Sequence, residues 1–417
     1  MDRDAFANSP LGSLVPIRGI DGRFNTPYSH WAYVANPLTE EPQLSGATWH
    51  AVAEASRALA RLDQASRQVP RPRMFLRPTL RREAQSTSAL EGTFAPLEQV
   101  LASDASNIST RSKELREVLN YIEAATYAYD VVEEGRPLTV GVIEAVHKIL
   151  VHETDADTEG AGRIRSTPVA IGSPTGSIED ARFVPMPPGI ALNAAVQDLT
   201  QWIGSAPSPR DPIVAAAMAH YQFETLHPFN DGNGRIGRLI MVLQFMMDGI
   251  VSEPLLSPSP WFEARRTAYQ EHLAKVSATG EWDEWISFFA EGITSSSDDV
   301  ARRVDRLLAV QARYVQKLQD AGAKGVIRDI VDAFVSDQVI TVSMVSERFG
   351  RTAPAVSSAI QKLVELRILS GPYGTYGRQY IADDIWRAVT APVGRVPDRD
   401  APLLTDSPPE DVDPLSK

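Results

Sequence analysis

The sequence predicts a mainly α-helical chain with one β-hairpin and a small mixed C-terminal unit. Three observations carry that expectation. Apolar residues recur at three- and four-residue steps through most of 48–366, the period of amphipathic helices. Only 160–188 departs from it, with two short β-prone runs around a turn-rich middle, the pattern of a hairpin. From 326 to 381 short helices alternate with short strand-like runs.

Composition bounds the function. With 417 residues, 43% of them hydrophobic, the chain has material for two or three domains. There is no cysteine, so neither a disulfide framework nor a thiolate metal site is expected, as suits a reducing cytoplasm. No apolar run would span a bilayer, and the first 22 residues lack a basic stretch followed by an apolar one, so neither membrane anchor nor signal peptide is expected. A net charge of −12 argues against bulk nucleic-acid binding but leaves room for a local basic face.

Taken in order, residues 1–40 read as a polar, proline-bearing extension without a clear period. A helix is expected from near Thr48, with Trp49, Val52, Ser56, Leu59 and Leu62 on one stripe, ended by Pro70 and Pro72. The next covers 81–90 with Gly92 as its stop, and the two form a helical domain over 41–110. A core over 111–295 follows. Its helices are expected at 112–132, from Leu138 or Thr139 to Leu150 with His147 packed on it, and at 211–226, 234–248, 261–275 and 282–294. Trp282, Trp285, Phe288 and Phe289 read as core. The hairpin is expected from Val169, Ile171, Phe183 and Val184. Segment 297–321, within a connector at 296–322, is long and amphipathic; its stripe joins domains or pairs two subunits. Residues 323–390 form the C-terminal unit, and 391–417, rich in proline and acid, reads as a disordered tail.

The chemistry concentrates in 227–238, His-Pro-Phe-Asn-Asp-Gly-Asn-Gly-Arg-Ile-Gly-Arg. Asp211 and Pro212 suit the start of the helix before it, and Pro228 disfavours α geometry at His227. Gly232 and Gly234 allow a turn and close approach to a ligand, and a second helix begins at Gly234. Free N–H groups at that helix N-terminus suit an anion. Arg235 and Arg238, three apart, share a face and suit a polyphosphate. Asp231 suits Mg²⁺, which takes one or two carboxylates plus phosphate oxygens. His227 is the obvious base. Other readings are a plain structural turn, a dinucleotide fingerprint on Gly232, Gly234 and Gly237, and a metal site on His220 and His227. The fingerprint needs a preceding strand where a helix stands, and two histidines seven apart do not share a helix face.

The stretch resembles the Fic family motif, H-x-F-x-[DE]-G-N-G-R-x-x-R, with every defined position filled. The resemblance implies a Fic-type helical core that transfers AMP from ATP to a Ser, Thr or Tyr hydroxyl of a protein, itself included. It implies that His227 is the catalytic base and Asp231 the Mg²⁺ ligand. Gly232, Asn233 and Gly234 would line an anion hole, Arg235 and Arg238 would bind the β- and γ-phosphates, and Phe229 would point into the core. The 87–92 stretch, Thr-Ser-Ala-Leu-Glu-Gly, resembles the family's inhibitory motif [ST]-x-x-x-E-[GN]. That implies that Thr87, Glu91 and Gly92 belong to an autoinhibitory helix whose Glu91 pairs with Arg238. The hairpin resembles the family's target-positioning flap, which holds a target chain by strand-like pairing.

The order of elements in 326–381 resembles a winged helix-turn-helix. As a DNA reader, residues 340–381 would offer Ser357, Ser358, Gln361 and Lys362 to bases and Arg348, Arg351 and Arg378 to phosphates. The rival function is therefore a DNA-binding transcriptional regulator whose core senses nucleotide.

Overall fold

The computed structural model describes residues 2–21, 24–39, 41–67, 72–104, 112–204, 210–374 and 378–391. Helices dominate them. The chain opens with α1 (Arg3–Phe6), β1 (Gly12–Asp21) and β2 (Thr26–Ala35). Then come α2 (Gly46–Arg67), α3 (Pro72–Leu90), α4 (Leu97–Leu101), α5 (Lys113–Glu133) and α6 (Val140–Leu150). The motif pair is α8 (Pro212–Leu226) and α9 (Asn233–Met247), preceded by α7 (Ile190–Ile203) and followed by α10 (Ser259–Glu263), α11 (Arg266–Thr279) and α12 (Asp283–Asp320). The C-terminal unit comprises α13 (Val326–Ala333), β3 (Val339–Thr341), α14 (Val342–Phe349), α15 (Ala353–Glu365), β4 (Ser370–Tyr373), β5 (Gln379–Ile381) and α16 (Asp383–Thr390).

Local chemistry explains the helix starts. Ser112 Oγ accepts from the Leu115 N–H, Thr139 Oγ1 from the Val142 N–H, and Asp211 Oδ1 from the Ile213 and Val214 N–H groups. The helices α8 and α9 are apolar on nearly every side and lie at the centre. Trp285 of α12 is fully buried against α8 and donates its indole N–H to the Ala217 carbonyl at 3.0 Å. Around them α2 runs alongside the first half of α12 in the same direction, tied at one end by Ser45 to Asp283 and at the other by Arg61 to Asp298.

Several expectations are corrected. The 12–35 stretch is not aperiodic extension but a ten-residue antiparallel hairpin, Gly12 opposite Ala35 and Asp21 opposite Thr26. Pro16 and Pro27 inside its strands blur the alternation that marks a strand in sequence. Conversely, 169–184 holds no paired strands, only one antiparallel bridge between Ile171 and Phe183. Prolines at 168, 174, 185, 187 and 188 remove the N–H donors a ladder would use. Instead β2 borrows the segment, its Tyr33 N–H donating to the Val184 carbonyl at 2.8 Å.

Helix α3 begins well before Arg81 and carries Pro78 inside it, and the helix expected at 261–275 divides into α10 and α11. The helices expected at 282–294 and 297–321 are one 38-residue helix. Three serines at 295–297 read as a break, but Ser296 and Ser297 are buried and the apolar stripe continues from Ile293 to Val300. Of that stripe, Val300, Val304, Leu307 and Leu318 are buried by their own chain, while Val315 stays exposed. The tail expected from 391 lies, beyond Ala391, outside the described residues.

The C-terminal unit has a three-stranded antiparallel sheet in the order β3-β5-β4, with α14 and α15 forming the helix-turn-helix. Helix α16, absent from the sequence reading, returns to α12. Its last carbonyls are gripped by two guanidiniums. Arg303 of α12 donates to Ala388, Val389 and Ala391, and Arg82 of α3 to Val389 and Ala391. Cations at a helix C-terminus meet both its orphan carbonyls and its dipole. A second tie joins Arg77 of α3 to Asp104 and Asp337, each at 2.6 Å, while Arg348 shares Asp337. The Arg303–Asp299 pair is buried, so Arg303→Met leaves the Asp299 carboxylate and the Ala388 carbonyl without that donor, while Arg82 still serves Val389 and Ala391. We expect a loss of about 3–5 kcal/mol in urea unfolding; a loss under about 1 kcal/mol would show that solvent replaces the contact.

Candidate functional site

The site forms where α8 ends and α9 begins. His227 caps α8 in the left-handed conformation (φ 48°, ψ 62°), its N–H donating to Phe223 O at 3.0 Å. A non-glycine residue pays strain there, and the following turn holds it. Asn233 fastens the turn by a pair of 2.8 Å bonds with Phe229, taking its N–H and donating to its carbonyl. Asn233 thus braces the loop with its side chain. Phe229 is buried and stacked on the His147 ring at 4.0 Å. Gly232 caps α9 at φ 78°, and a Cβ there would meet Leu150 at 2.9 Å. No side chain caps α9, which leaves its first N–H groups for an anion.

Glu91 packs beside this end of α9. Its carboxylate lies so close to Gly234 that a Cβ on the glycine would overlap it, and it accepts from Arg238 Nη2 at 2.7 Å. Arg238, 1% exposed, also donates Nε to Thr87 Oγ1 at 2.8 Å and Nη2 to the Thr87 carbonyl at 3.0 Å. Burial works to raise the Glu91 carboxyl, but the charge of Arg238, with Arg235 and His227 beyond it, outweighs this and holds it below its ordinary value. Gly92 follows at φ 96°, ending the helix that carries Glu91.

Arg235 is equally buried. It donates to Glu117 Oε2 at 3.3 Å and to Asp231 Oδ1 at 3.4 Å. Asp231 keeps half of its side chain exposed, and its Oδ1 also accepts the Gly232 N–H at 2.6 Å. Among the described residues no three His, Asp or Glu side chains converge as a metal cage. A lone exposed carboxylate beside an anion cradle suits Mg²⁺, which fills its shell with phosphate oxygens and water. The His220–His227 metal reading has no support, since His220 is fully buried and bonded to Tyr269 Oη at 2.6 Å.

Of the residues expected in the flap, Ile171 and Phe183 pair, Val169 is half-buried beside them, and Val184 is buried beneath the N-terminal hairpin. Phe183 closes a triangle with Phe6 and Tyr33, ring centroids 5.6–5.7 Å apart.

Sequence reading missed three residues. His147 Nδ1 accepts the Gly162 N–H at 2.9 Å, so its Nε2 carries the proton donated to the Asp231 carbonyl at 3.2 Å. Arg165 is buried behind the turn that follows α8 and donates to the His227 carbonyl at 2.8 Å. Glu224 lies against Gly237, where a Cβ would come within 2.6 Å of it. Burial, partly offset by Arg238, raises its carboxyl to about 8. None belongs to a short motif, and each is recognisable only once the partners are brought together. The His227 imidazole is pushed down to about 4 by burial and by Arg165, against Glu91 and Asp231. Its Nδ1 faces the Glu224 carbonyl at 3.3 Å, which can only accept. The proton therefore sits on Nδ1, and Nε2 keeps its lone pair.

Comparison with known proteins follows this geometry. The family model described as Fic/DOC family N-terminal matches residues 49–130, and that described as Fic/DOC family matches 137–245. Protein adenylyltransferase fic-1 of Caenorhabditis elegans is 26% identical over 268 residues, covering 60% of this chain and 49% of that protein. Protein adenylyltransferase Fic of Drosophila grimshawi is 30% identical over 207 residues, 49% of this chain and 38% of that one. The chain thus spans half or less of the length of these relatives. A crystal structure of a Fic family protein from Desulfovibrio desulfuricans G20 shares the fold, with a TM-score of 0.53 at 21% identity over 83% of this chain and 98% of that one.

Burial lowers His147 to about 4 and His220 to about 3. In an imidazole NMR titration His147 and His227 should stay neutral to pH 5, and midpoints near 6.5 would contradict the packing. A depressed histidine adds stability that is whole above its unfolded pKa of about 6.5 and is lost as pH falls toward the folded value, by about 1.4 kcal/mol per pH unit. Raised Glu224 acts oppositely, losing its contribution as pH rises from 4.5 to about 8. Three depressed histidines, His147, His220 and His227, outweigh the raised carboxyls of Glu224 and Glu83, so the melting temperature should drop between pH 6.5 and 5, and drop less in His147→Gln.

Proposed function

Because residues 49–130 and 137–245 of this chain belong to the Fic/DOC family, we propose that it transfers AMP from ATP to a protein hydroxyl and that Glu91 holds it in a slow state. One observation carries the reading: a carboxylate packs against Gly234 in the first turn of α9 and holds the buried Arg238.

The chemistry follows from the residues. Nε2 of His227 takes the proton of a Ser, Thr or Tyr hydroxyl. The oxygen forms a bond to the α-phosphorus, the α–β phosphoanhydride bond breaks, and diphosphate leaves. The α9 N–H groups, lined by Gly232, Asn233 and Gly234, and the guanidiniums of Arg235 and Arg238 offset the charge on the phosphates. Asp231 would hold Mg²⁺, which supplies further positive charge to the same oxygens. Glu91 and the γ-phosphate are both anions and compete for Arg238. The segment around Val169 and Ile171 would receive the target's main chain. Self-modification gives the simplest assay.

A DNA-binding regulator remains the second reading, because α15 exposes Ser358, Gln361 and Lys362 and the flanking Arg351 and Arg378 are exposed as well. Against it, Arg348 is taken by Asp337 and Lys362 by Glu365. Residues 323–391 carry eight Lys and Arg against seven Asp and Glu, a weak electrostatic footprint for DNA. A salt-dependent mobility shift with DNA of the protein's own promoter tests it.

Incubation with ATP labelled at the α or the γ phosphate tests the main reading. Retention of α label alone is expected; retention of γ label alone means phosphorylation instead. His227→Ala should abolish transfer while ATP still binds, and Asp231→Ala should weaken activity and Mg²⁺ response together.

Glu91→Gly tests the restraint. A charge-assisted contact contributes about 1.5–3 kcal/mol, roughly ten- to 150-fold, so Glu91→Gly should speed self-modification at least about tenfold. It should not rescue Arg238→Ala, since both act through one guanidinium. A Glu91→Gly protein no faster than wild type would reduce the helix to a structural part.

A further inference from the structure

Arg165 is 3% exposed, yet among the described residues its side chain bonds only to main-chain carbonyls and to no carboxylate, and burial alone lowers its guanidinium to about 10. All its hydrogen bonds go to main-chain carbonyls, from two directions. On one side Nε donates to His227 O at 2.8 Å and Nη2 to Leu226 O at 3.4 Å. On the other, Nη1 donates to Thr167 O at 3.1 Å and Nη2 to Met186 O. Its own N–H donates to Pro228 O at 2.8 Å.

The first pair of carbonyls ends α8, where a helix leaves its last C=O groups unsatisfied and its dipole favours a cation. That explains how a buried guanidinium persists without a counter-ion. The second pair flanks the Ile171–Phe183 bridge, Thr167 before it and Met186 after it. One side chain therefore holds the turn that carries the base and both ends of the segment where a target would lie. Lysine has one donor head and cannot span the two sides.

We propose that Arg165 is a positioning residue that fixes the distance between the His227 imidazole and a target chain lying along 169–171. This rests on the transfer reading above. It adds a role for a residue that touches neither nucleotide nor metal in that reading. Misplacement of a reacting group by about 1 Å costs on the order of 100-fold in rate. Loss of Arg165 should therefore slow transfer without loosening nucleotide.

The test uses the full chain carrying Glu91→Gly, alone and with Arg165→Lys or Arg165→Met. Three quantities are read: affinity for a non-hydrolysable ATP analogue, self-modification rate at saturating ATP, and amide hydrogen exchange at His227 and Phe229. For Arg165→Met we expect affinity within about threefold of the parent, a rate lower by about 100-fold, and faster exchange at both amides. Arg165→Lys should keep the fold and recover only part of the rate. Rates within threefold of the parent in either variant would overturn the proposal. So would a loss of nucleotide affinity in step with rate, which would mark Arg165 as part of the nucleotide site or of the fold at large. If Arg165→Met does not fold, the Arg165→Lys rate decides. If the Glu91→Gly parent transfers no AMP, the functional reading fails on its own. Exchange at His227 and Phe229 then still tests Arg165: unchanged protection in the variants refutes its hold on the turn.

Discussion

A guanidinium buried as deeply as Arg238 must be given an anion, and much of the molecule is arranged around which anion it receives. Here Glu91 and Thr87 supply the oxygens. Removing a partner from a buried charge is far costlier than removing one from a surface pair. Displacing the Glu91 carboxylate therefore costs least when another anion takes its place at Arg238. Gly234 has no side chain for the same reason: any Cβ would fill the space the anion takes.

The turn beneath depends on neutral histidines. His147 accepts at one nitrogen and donates at the other, which fixes its tautomer and holds the Asp231 carbonyl. His227 is kept neutral by burial and the nearby Arg165. Protonation would bury a charge in both rings and would also break the bond that His147 accepts from the Gly162 N–H, and a depressed pKa is the thermodynamic expression of that cost. Asn233 adds no charge, yet it closes the loop by both faces of its amide.

Helix α3 does not act alone. Its C-terminal end delivers Thr87 and Glu91, while its earlier turns send Arg77 to Asp337 and Arg82 to the end of α16. Helix α3 and the C-terminal unit thus share hydrogen bonds across a large separation in sequence, and separating them would take Arg82 from the carbonyls at the end of α16.

The sequence alone determined the helix–turn–helix around 227–238 and the helix starts at Ser112 and Asp211. These depend on contacts within a few residues, on turn chemistry and on period, all written locally. Tertiary structure decided the rest. It alone brought Arg165 and His147 to the site, because their partners lie far away in sequence: His227 is 62 residues from Arg165, and Asp231 is 84 from His147. It also turned the proline-bearing N-terminus into a hairpin, reduced the expected flap to one bridge, and fused two expected helices into α12. In each of these the outcome was set by what lay opposite. β2 found a partner carbonyl in Val184, the flap prolines had no N–H to offer, and the serines of α12 were buried where a break would have left backbone groups unsatisfied.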